Sequence, residues 1–207
     1  MSDQPSRTGL PPHSPLISTS RGEKRGSPGA LRLFYAVKVP DFIRERLMRL
    51  QGELGTDWRP VAPHQMHITL AFMGEVPESD LPEVLASGER VVASGCLKPF
   101  MIDLGDTGAF PNTRDPRVWF VEAKAPELPE LAAMLHEDLK QWCDPKPFRP
   151  HLTLARRRAD HARFVQATVG RQWDVTSFEL IKSELKAAGP VYTVLHTFDL
   201  IPIRESL

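Results

Sequence analysis

The sequence predicts an α+β protein made of two lobes that an approximate twofold axis relates, and three observations lead to this fold class. The tetrapeptide His-x-Thr-Leu occurs twice, and its copies begin at His67 and His151, 84 positions apart (151 − 67). A strand-like and then a helix-like segment precede each copy. The chain closes with two long strand-like segments, so the sheets are expected to be mainly antiparallel.

Both copies of the tetrapeptide begin apolar runs with the length and the punctuation of a strand. Side chains alternate between the two faces of a strand, so each copy carries an imidazole and a hydroxyl on one face, roughly 7 Å apart. We therefore expect this face of each strand to line a polar space. The alternation assigns His67, Thr69 and Ala71 to one face and Ile68, Leu70 and Phe72 to the other, and likewise separates His151 and Thr153 from Leu152 and Leu154.

The segments before the two copies correspond to each other. Strands are predicted over residues 33–37 and 118–122, each about 33 residues before its histidine. A proline ends each strand, and an amphipathic helix follows. Apolar residues at helical spacing mark the two helices: Ile43, Leu47, Leu50 and Leu54 in the first, and Leu128, Leu131, Leu135, Leu139 and Trp142 in the second.

The rest of the chain supplies the ends and the connections. Residues 1–29 are rich in Ser, Pro, Gly and Arg and are predicted to be disordered, so that one folded domain spans residues 30–207. In the first helix, Asp41 is the expected N-cap and Gly55 the expected stop. The remaining predicted elements are a helix over 81–92, a strand over 100–104, a helix between Arg158 and Val169, and strands over 175–185 and 191–201.

Composition restricts the classes of function. The 207 residues are 41% hydrophobic, which is enough for one ordinary domain or two small lobes. Basic and acidic residues balance at 26 each, so no overall field attracts nucleic acid or a membrane. Cys96 and Cys143 are too few for a disulfide framework, and no apolar run reaches the ~18 residues of a membrane span. We expect a cytoplasmic monomer.

Two histidines, each with a threonine two residues further on, suit the chemistry of phosphate esters. Because the unperturbed pKa of an imidazole is about 6.5, one histidine can be neutral while the other is protonated. Such a pair can activate a water and protonate a leaving oxygen on opposite sides of a phosphate. Thr69 and Thr153 are predicted to donate to its non-bridging oxygens. This scheme for His67 and His151 requires neither a metal nor another cofactor.

Further residues are candidates for substrate binding. Arg149 and Arg156 flank the second histidine and can add charge-assisted hydrogen bonds to a phosphate. Phe34, Tyr35 and Phe72 are expected to pack in the core, although one of these rings could stack on a nucleobase, with Tyr35 and Phe72 as the candidates. His64 precedes the first motif by three residues, but no third ligand is nearby in the sequence, so the two histidines make a poor zinc site.

Longer stretches around both motifs resemble the 2H phosphoesterase superfamily, and within it the RNA 2′,3′-cyclic phosphodiesterases that were long called 2′-5′ RNA ligases. The resemblance spans roughly residues 31–202. The matching stretches are Arg-Leu-Phe-Tyr-Ala-Val at 32–37, His-Ile-Thr-Leu-Ala-Phe-Met-Gly-Glu-Val at 67–76, Pro-Phe-Arg-Pro-His-Leu-Thr-Leu-Ala-Arg at 147–156 and Tyr-Thr-Val-Leu at 192–195.

This resemblance implies a fold and a reaction. The implied fold has two lobes, each an antiparallel sheet with outer helices, around a central cleft. The implied reaction hydrolyses a 2′,3′-cyclic phosphate at an RNA end to a 2′-phosphomonoester, with His67 as the proton donor to the ribose 3′-oxygen and His151 as the proton acceptor from water. The implied partner is RNA or a related nucleotide, and some members of the family also join RNA ends through 2′-5′ linkages.

Other interpretations remain open. A single histidine on a strand is often structural, whereas two in duplicated contexts favour catalysis, and the threonines could be ordinary strand formers. The chain could act instead on 2′-5′ linkages or on small cyclic nucleotide phosphates, which assays on a panel of small substrates would reveal. It could also bind RNA ends without turnover, and the intact histidines of both motifs argue against that.

Overall fold

The structure of the protein is a computed structural model that describes residues 29–143, 145–158, 160–187 and 189–200. These ranges contain short 3-10 helices at Pro63–Gln65 and Glu78–Asp80. Their α-helices are α1 (Asp41–Gln51), α2 (Leu81–Ala93) and α3 (Glu127–Leu139). Their strands are β1 (Ala30–Lys38), β2 (Trp58–Pro60), β3 (His67–Pro77), β4 (Phe100–Pro111), β5 (Pro116–Lys124), β6 (His151–Arg157), β7 (Thr168–Val175), β8 (Ser177–Lys186) and β9 (Gly189–Asp199).

The described strands form one sheet in the order β7-β4-β5-β6-β3-β1-β8-β9, with β2 paired to β6 outside this path. The pairings are antiparallel, as predicted. The four strands on each side of the centre are the two predicted lobes. They are joined into a continuous sheet where Ile68 of β3 pairs with Leu152 of β6.

The internal repeat predicted from the sequence extends to the pairing of the strands. In the first half, Thr69 of β3 is opposite Ala36 of β1. In the second half, Thr153 of β6 is opposite Phe120 of β5. Ala36 and Phe120 are separated by the same spacing as the two histidine motifs, so β1 and β3 are the counterparts of β5 and β6.

The helices cover the apolar face of the sheet and cross between its halves. Helix α1 follows β1 but packs against β6 and β7 of the second half, whereas α3 follows β5 but packs against β3 of the first half and against α2. This exchange fixes the two lobes to each other. Most residues of the predicted stripes are buried in the core: Ile43, Leu47 and Leu50 of α1, Val84 and Val91 of α2, and Leu128, Leu131, Leu135 and Leu139 of α3. Leu54 and Trp142, which also belong to the predicted stripes, lie beyond the ends of α1 and α3 and are only partly buried.

Gly88 lies in the middle of α2, a position where glycine is unfavourable by propensity. The helix is continuous through it, and the ring of Phe198 from β9 packs directly onto this residue. A Cβ atom added to Gly88 would lie 2.4 Å from the ring of Phe198. The close approach of the ring therefore requires glycine here.

The predicted boundaries of the first helix are wrong at both ends. Pro40 is the N-cap and Asp41 is the first helical residue. The extended conformation of Pro40 starts the helix, and the carboxylate of Asp41 forms an ion pair with Arg44 instead of capping. The helix ends at Gln51 and is capped by Gly52, the first glycine that the chain reaches, rather than by Gly55.

The prediction of a helix between β6 and β7 is also wrong, since the described residues there contain no regular secondary structure. Side chains of the neighbouring strands hold this segment. The carbonyl of Val165 accepts hydrogen bonds from the indole of Trp119 and the hydroxyl of Thr107, each at 2.9 Å. The strand predicted over residues 175–185 is divided between β7 and β8 at Thr176.

Within the described ranges, no helix has the length and apolar character that a membrane span requires. Two predictions lie wholly or largely outside these ranges. They concern the disordered tail, of which only Gly29 is described, and the end of the last strand at Ile201.

Candidate active site

The first histidine motif contains a β-bulge that simple alternation does not foresee. Thr69 and Ala71 are opposite neighbouring residues of β1, so Leu70 is an extra residue in β3. A bulge of this kind shifts the side chains that follow it to the other face. Ala71 is consequently buried, and Phe72, which is 40% exposed, joins His67 on the polar face. The predicted faces of Ala71 and Phe72 are therefore wrong.

The second motif has the same bulge at the equivalent position. Thr153 and Ala155 are opposite neighbouring residues of β5, which makes Leu154 the extra residue. Arg156, an exposed residue, consequently lies on the same face as His151 and Thr153. The repeat thus includes a backbone irregularity as well as a sequence motif.

The joint between β3 and β6 brings the two motifs side by side. The pair at the centre of the sheet fixes an antiparallel register, so the residues that flank it are neighbours across the joint. His67 is therefore next to Thr153, and Thr69 is next to His151. Neighbours of this kind have Cβ atoms about 4.5–5.5 Å apart. We call these four alternating side chains the His–Thr patch.

Both imidazoles are held by a carbonyl two residues earlier in the chain. The Nδ1–H of His67 donates to the carbonyl of Gln65 at 2.7 Å, and that of His151 donates to the carbonyl of Arg149 at 2.7 Å. These bonds select the tautomer in which Nε2 carries no hydrogen and can accept a proton. The Nε2 of His67 accepts a hydrogen bond from the hydroxyl of Thr69 at 3.1 Å.

Aromatic rings pack against each histidine. The ring of His67 lies 4.8 Å from that of Phe34 and 5.5 Å from that of Tyr192, measured between centroids. The ring of His151 lies 4.9 Å from that of Phe110 and 5.4 Å from that of Phe120. These walls remove water from the imidazoles on both sides of the patch.

Burial is the main cause that lowers the pKa of both histidines. For His67 it lowers the pKa to about 4, with smaller contributions in the same direction from the charges of His151 and Arg156, against the raising effect of the Gln65 carbonyl. Burial also lowers the pKa of His151, and the charges of Arg156 and Arg149 add to this effect. Both imidazoles are therefore neutral near pH 7 in the protein alone, and an anion bound between them would raise both pKa values.

The predicted contact of Tyr35 with substrate is wrong. Tyr35 is fully buried on the helix side of the sheet, and its hydroxyl donates to the carbonyl of Val84 in α2 at 2.5 Å. Burial raises the pKa of this hydroxyl above its usual value. Phe34 occupies the polar face instead, because neighbouring residues of a strand point to opposite faces.

The other two binding candidates lie beside the patch. The guanidinium of Arg149 is exposed and lies 5.7 Å from the ring centroid of Phe110. The guanidinium of Arg32 lies over the ring of Phe72, 4.7 Å from the ring centroid. Their positions are compatible with contacts to a ligand at the patch.

Sequence reasoning named Phe34 as one of three possible aromatic contacts, but it missed the other three aromatic walls of the site. Strand alternation within β1 already separated Phe34 from Tyr35 and would have selected Phe34 as the residue on the polar face. No local pattern would have selected Tyr192, Phe110 or Phe120. Strands β9 and β4 are not neighbours of the histidine strands in the sheet, and β5 meets β6 only through long-range pairing.

A cavity of about 500 Å³ opens beside the second histidine. Its lining mixes aromatic and charged side chains, and the residues that define its character are Phe110, Phe120, Phe148, Arg149, Glu122 and Lys124. A volume of this size is within the range of small-ligand sites. Among the described residues, no three side chains of His, Cys, Asp or Glu are grouped closely enough to hold a metal ion.

Comparisons with known proteins find relatives along most of the chain. The family model described as 2′-5′ RNA ligase superfamily matches residues 39–187. A Thermus thermophilus protein named RNA 2′,3′-cyclic phosphodiesterase is 43% identical over 181 residues, covering 82% of this chain and 90% of the relative. A protein of the same name from Archaeoglobus fulgidus is 36% identical over 180 residues, covering 82% of this chain and 100% of the relative.

Solved structures share the fold. A crystal structure of a Thermus thermophilus protein aligns with a TM-score of 0.78 at 42% identity, covering 84% of this chain and 100% of that chain. The crystal structure of E. coli LigT complexed with 3′-AMP aligns with a TM-score of 0.72 at 29% identity, covering 83% of this chain and 98% of that chain.

Proposed function

This chain belongs to the 2′-5′ RNA ligase superfamily, and we propose that it is a hydrolase that opens 2′,3′-cyclic phosphates at RNA ends to give 2′-phosphomonoesters. The His–Thr patch is the observation that carries the proposal, since two histidines and two threonines alternate on neighbouring strands around the centre of the sheet. The relatives named RNA 2′,3′-cyclic phosphodiesterase support the substrate class.

The patch supplies donors to a phosphate from both halves of the protein. A cyclic phosphodiester carries one negative charge, which its two non-bridging oxygens share. The hydroxyl of Thr153 donates to these oxygens, where charge builds during attack. The hydroxyl of Thr69 donates to Nε2 of His67 in the protein alone, and it can turn to the phosphate once that nitrogen takes up a proton. The guanidinium of Arg156 lies on the same face and balances the charge.

The bound phosphate also prepares the general acid. His67 has a pKa of about 4 in the protein alone, so it must take up a proton to act as a donor near pH 7. The negative charge of the phosphate favours the imidazolium and raises this pKa on binding. His151 must stay neutral in the same complex, so that its Nε2 keeps the lone pair that a general base needs.

Hydrolysis then needs two proton transfers and one displacement at phosphorus. The Nε2 of His151 removes a proton from a water as the water oxygen attacks the phosphorus. The bond between phosphorus and the ribose 3′-oxygen breaks, and the Nε2–H of His67 protonates that oxygen. The 2′-oxygen stays on phosphorus, so the product is a 2′-phosphomonoester. Neither a metal nor a cofactor takes part.

The location and assembly of the protein are also proposals. The acid, the base and the phosphate ligands all come from one chain, so we propose that the monomer is active. Cys96 and Cys143 are free thiols, and free thiols together with an RNA substrate suit the reducing cytoplasm.

The test is product analysis on an RNA oligonucleotide that ends in a 2′,3′-cyclic phosphate. The wild-type protein is expected to yield the 2′-phosphomonoester, and His67→Ala and His151→Ala to reduce turnover to background. His64→Ala is the matched control, because His64 is exposed in a 3-10 helix and outside the patch. Turnover only of 2′-5′ linkages or of small cyclic nucleotides would transfer the activity to those substrates, and binding without turnover would reduce the protein to an RNA-end binding module.

A further inference from the structure

The two equivalent bulges, at Leu70 in β3 and at Leu154 in β6, are each held by a side chain from the opposite half of the protein. Gln51, the last residue of α1, donates from Nε2 to the carbonyls of Leu154 at 2.7 Å and Val61 at 2.9 Å. His136, in the last turn of α3, donates from Nε2 to the carbonyl of Leu70 at 3.2 Å. Leu154 and Leu70 are the extra residues of the two bulges. We call Gln51 and His136 the bulge clamps.

The two clamps correspond to each other in position and in chemistry. They lie near the ends of the helices that cross between the halves, and 85 positions separate them (136 − 51), one more than the spacing of the repeat. A bulge leaves its extra residue outside the regular ladder. A buried carbonyl without a donor is costly, so a donor from elsewhere stabilises the bulge.

The side-chain amide of Gln51 is buried and uses its NH2 group for the hydrogen bonds to Leu154 and Val61. Gln51 is 7% exposed, and its NH2 group donates to both carbonyls within normal hydrogen-bond distance. The backbone N–H of Val61 donates to the same carbonyl of Leu154 at 2.8 Å. The carbonyl of Leu154 therefore has two donors, the side-chain amide of Gln51 from α1 and the backbone N–H of Val61, which continues the pairing of β2 with β6.

The bulge in β6 decides where Arg156 points. Arg156 follows Leu154 by two residues, and in a regular strand Arg156 would share the buried face of Leu154. The extra residue turns Arg156 to the face of the patch, where its charge lowers the pKa values of His67 and His151.

We propose that Gln51 is a positioning residue that aims Arg156 at the substrate phosphate by holding the Leu154 bulge. The inference rests on the proposed function, through the role given there to Arg156. Gln51 does not touch the substrate, because it lies on the helix side of the sheet. His136 holds the equivalent bulge at Leu70, which precedes Phe72 by two residues.

Steady-state kinetics on a 2′,3′-cyclic phosphate separate positioning from a general structural role. Gln51→Met keeps the length and the apolar stem and removes the donors. It is expected to lower kcat/KM between about 10- and 100-fold, the scale of a misplaced catalytic contact. Because Arg156 binds the phosphate, the KM of Gln51→Met is also expected to rise toward that of Arg156→Met. A loss of folded protein would lower the apparent kcat and leave KM unchanged.

The double variant makes the test specific to Arg156. In the Arg156→Met background, Gln51→Met is expected to cost less than about twofold, because coupled residues are not additive. Met48→Gln, on the exposed side of the same helix, is the control and should match the wild type. If Gln51→Met is not folded by circular dichroism, Gln51→Asn takes its place in the cycle, since it withdraws the amide by one methylene.

Two groups of results would overturn different statements. A wild-type KM in Gln51→Met, the same loss in both backgrounds, or wild-type kinetics in Arg156→Met would overturn the positioning role while hydrolysis stands. A wild-type protein without hydrolysis of any cyclic phosphate would overturn the proposed function itself, and the positioning role with it.

Discussion

Ile68 and Leu152 hold equivalent positions in the two halves of the protein and pair with each other where the halves join. Two equivalent residues can be direct partners only if the pseudo-twofold axis passes between them. The His–Thr patch surrounds this axis on one face of the sheet, and the helices cover the other. Each imidazole therefore has a counterpart across the axis, as an acid and a base on opposite sides of one phosphorus require.

Turnover of RNA with a 2′,3′-cyclic phosphate end is expected to persist in excess EDTA. In the proposed mechanism, His67 and His151 supply the acid and the base, and Thr69, Thr153 and Arg156 stabilise the charge, so the mechanism needs no cation. The measurement compares the rate before and after dialysis against EDTA. A loss that one specific divalent ion restores would mean that a metal takes part.

Thr69→Val and Thr153→Val are each expected to slow kcat more than they weaken binding. A lost donor to developing charge costs about 2.7–4 kcal/mol, or roughly 10²–10³ in rate. Thr193→Val on the exposed part of β9 is the control and should leave kcat unchanged. If kcat is unchanged and the affinities for substrate and product fall equally, the hydroxyls serve ground-state binding instead.

Stability is expected to fall between about pH 6.5 and pH 4, partly because of His67. Burial lowers its pKa from 6.5 to about 4 on folding, so in this window the unfolded chain binds more protons than the native protein. The stability that depends on a neutral His67 is fully present above pH 6.5 and is lost as the pH falls toward 4. Urea unfolding at pH 7 and pH 4.5 measures the free energy of unfolding at each pH. The decrease from pH 7 to pH 4.5 should be smaller for His67→Asn than for the wild type. Equal losses in the two proteins would show that His67 is not buried as a neutral imidazole.

Gly88→Ala is expected to destabilise the protein by about 1–3 kcal/mol, the usual cost of overpacking. Alanine would favour the helix by about 0.8–1.0 kcal/mol, but its Cβ would lie 2.4 Å from the ring of Phe198, and the clash prevails. Gly55→Ala has open space around the added atom and should be nearly neutral. Chemical denaturation measures both, and a more stable Gly88→Ala protein would show that the ring moves aside.

The duplicated pattern predicted the fold class and the composition of the His–Thr patch, because the strand, helix and histidine segments occur twice in the sequence with the same separation. The joint at Ile68 and Leu152 could not be predicted in this way. It depends on pairing between strands that lie far apart in the chain, so the two expected sheets are found as one.

Local periodicity also failed where a distant contact sets the backbone. Alternation assigns the residues up to Leu70 correctly and then fails at Ala71 and Phe72, because the bulge depends on the register with β1 and on a donor from His136. The choice of Tyr35 failed for a different reason. Tyr35 and Phe34 are consecutive residues of β1, so their side chains point to opposite faces of the sheet, and only one of them could lie beside His67.

Replacing the 3′-oxygen of the cyclic phosphate by sulfur tests the acid–base roles most directly. A thiolate leaves without a proton, so His67→Ala is expected to recover much of its lost rate on this substrate. His151→Ala should stay inactive, because its water is still not activated. Rescue of His151→Ala alone would exchange the two roles. Rescue of neither variant would contradict the acid–base mechanism and leave both histidines as ligands of the phosphate.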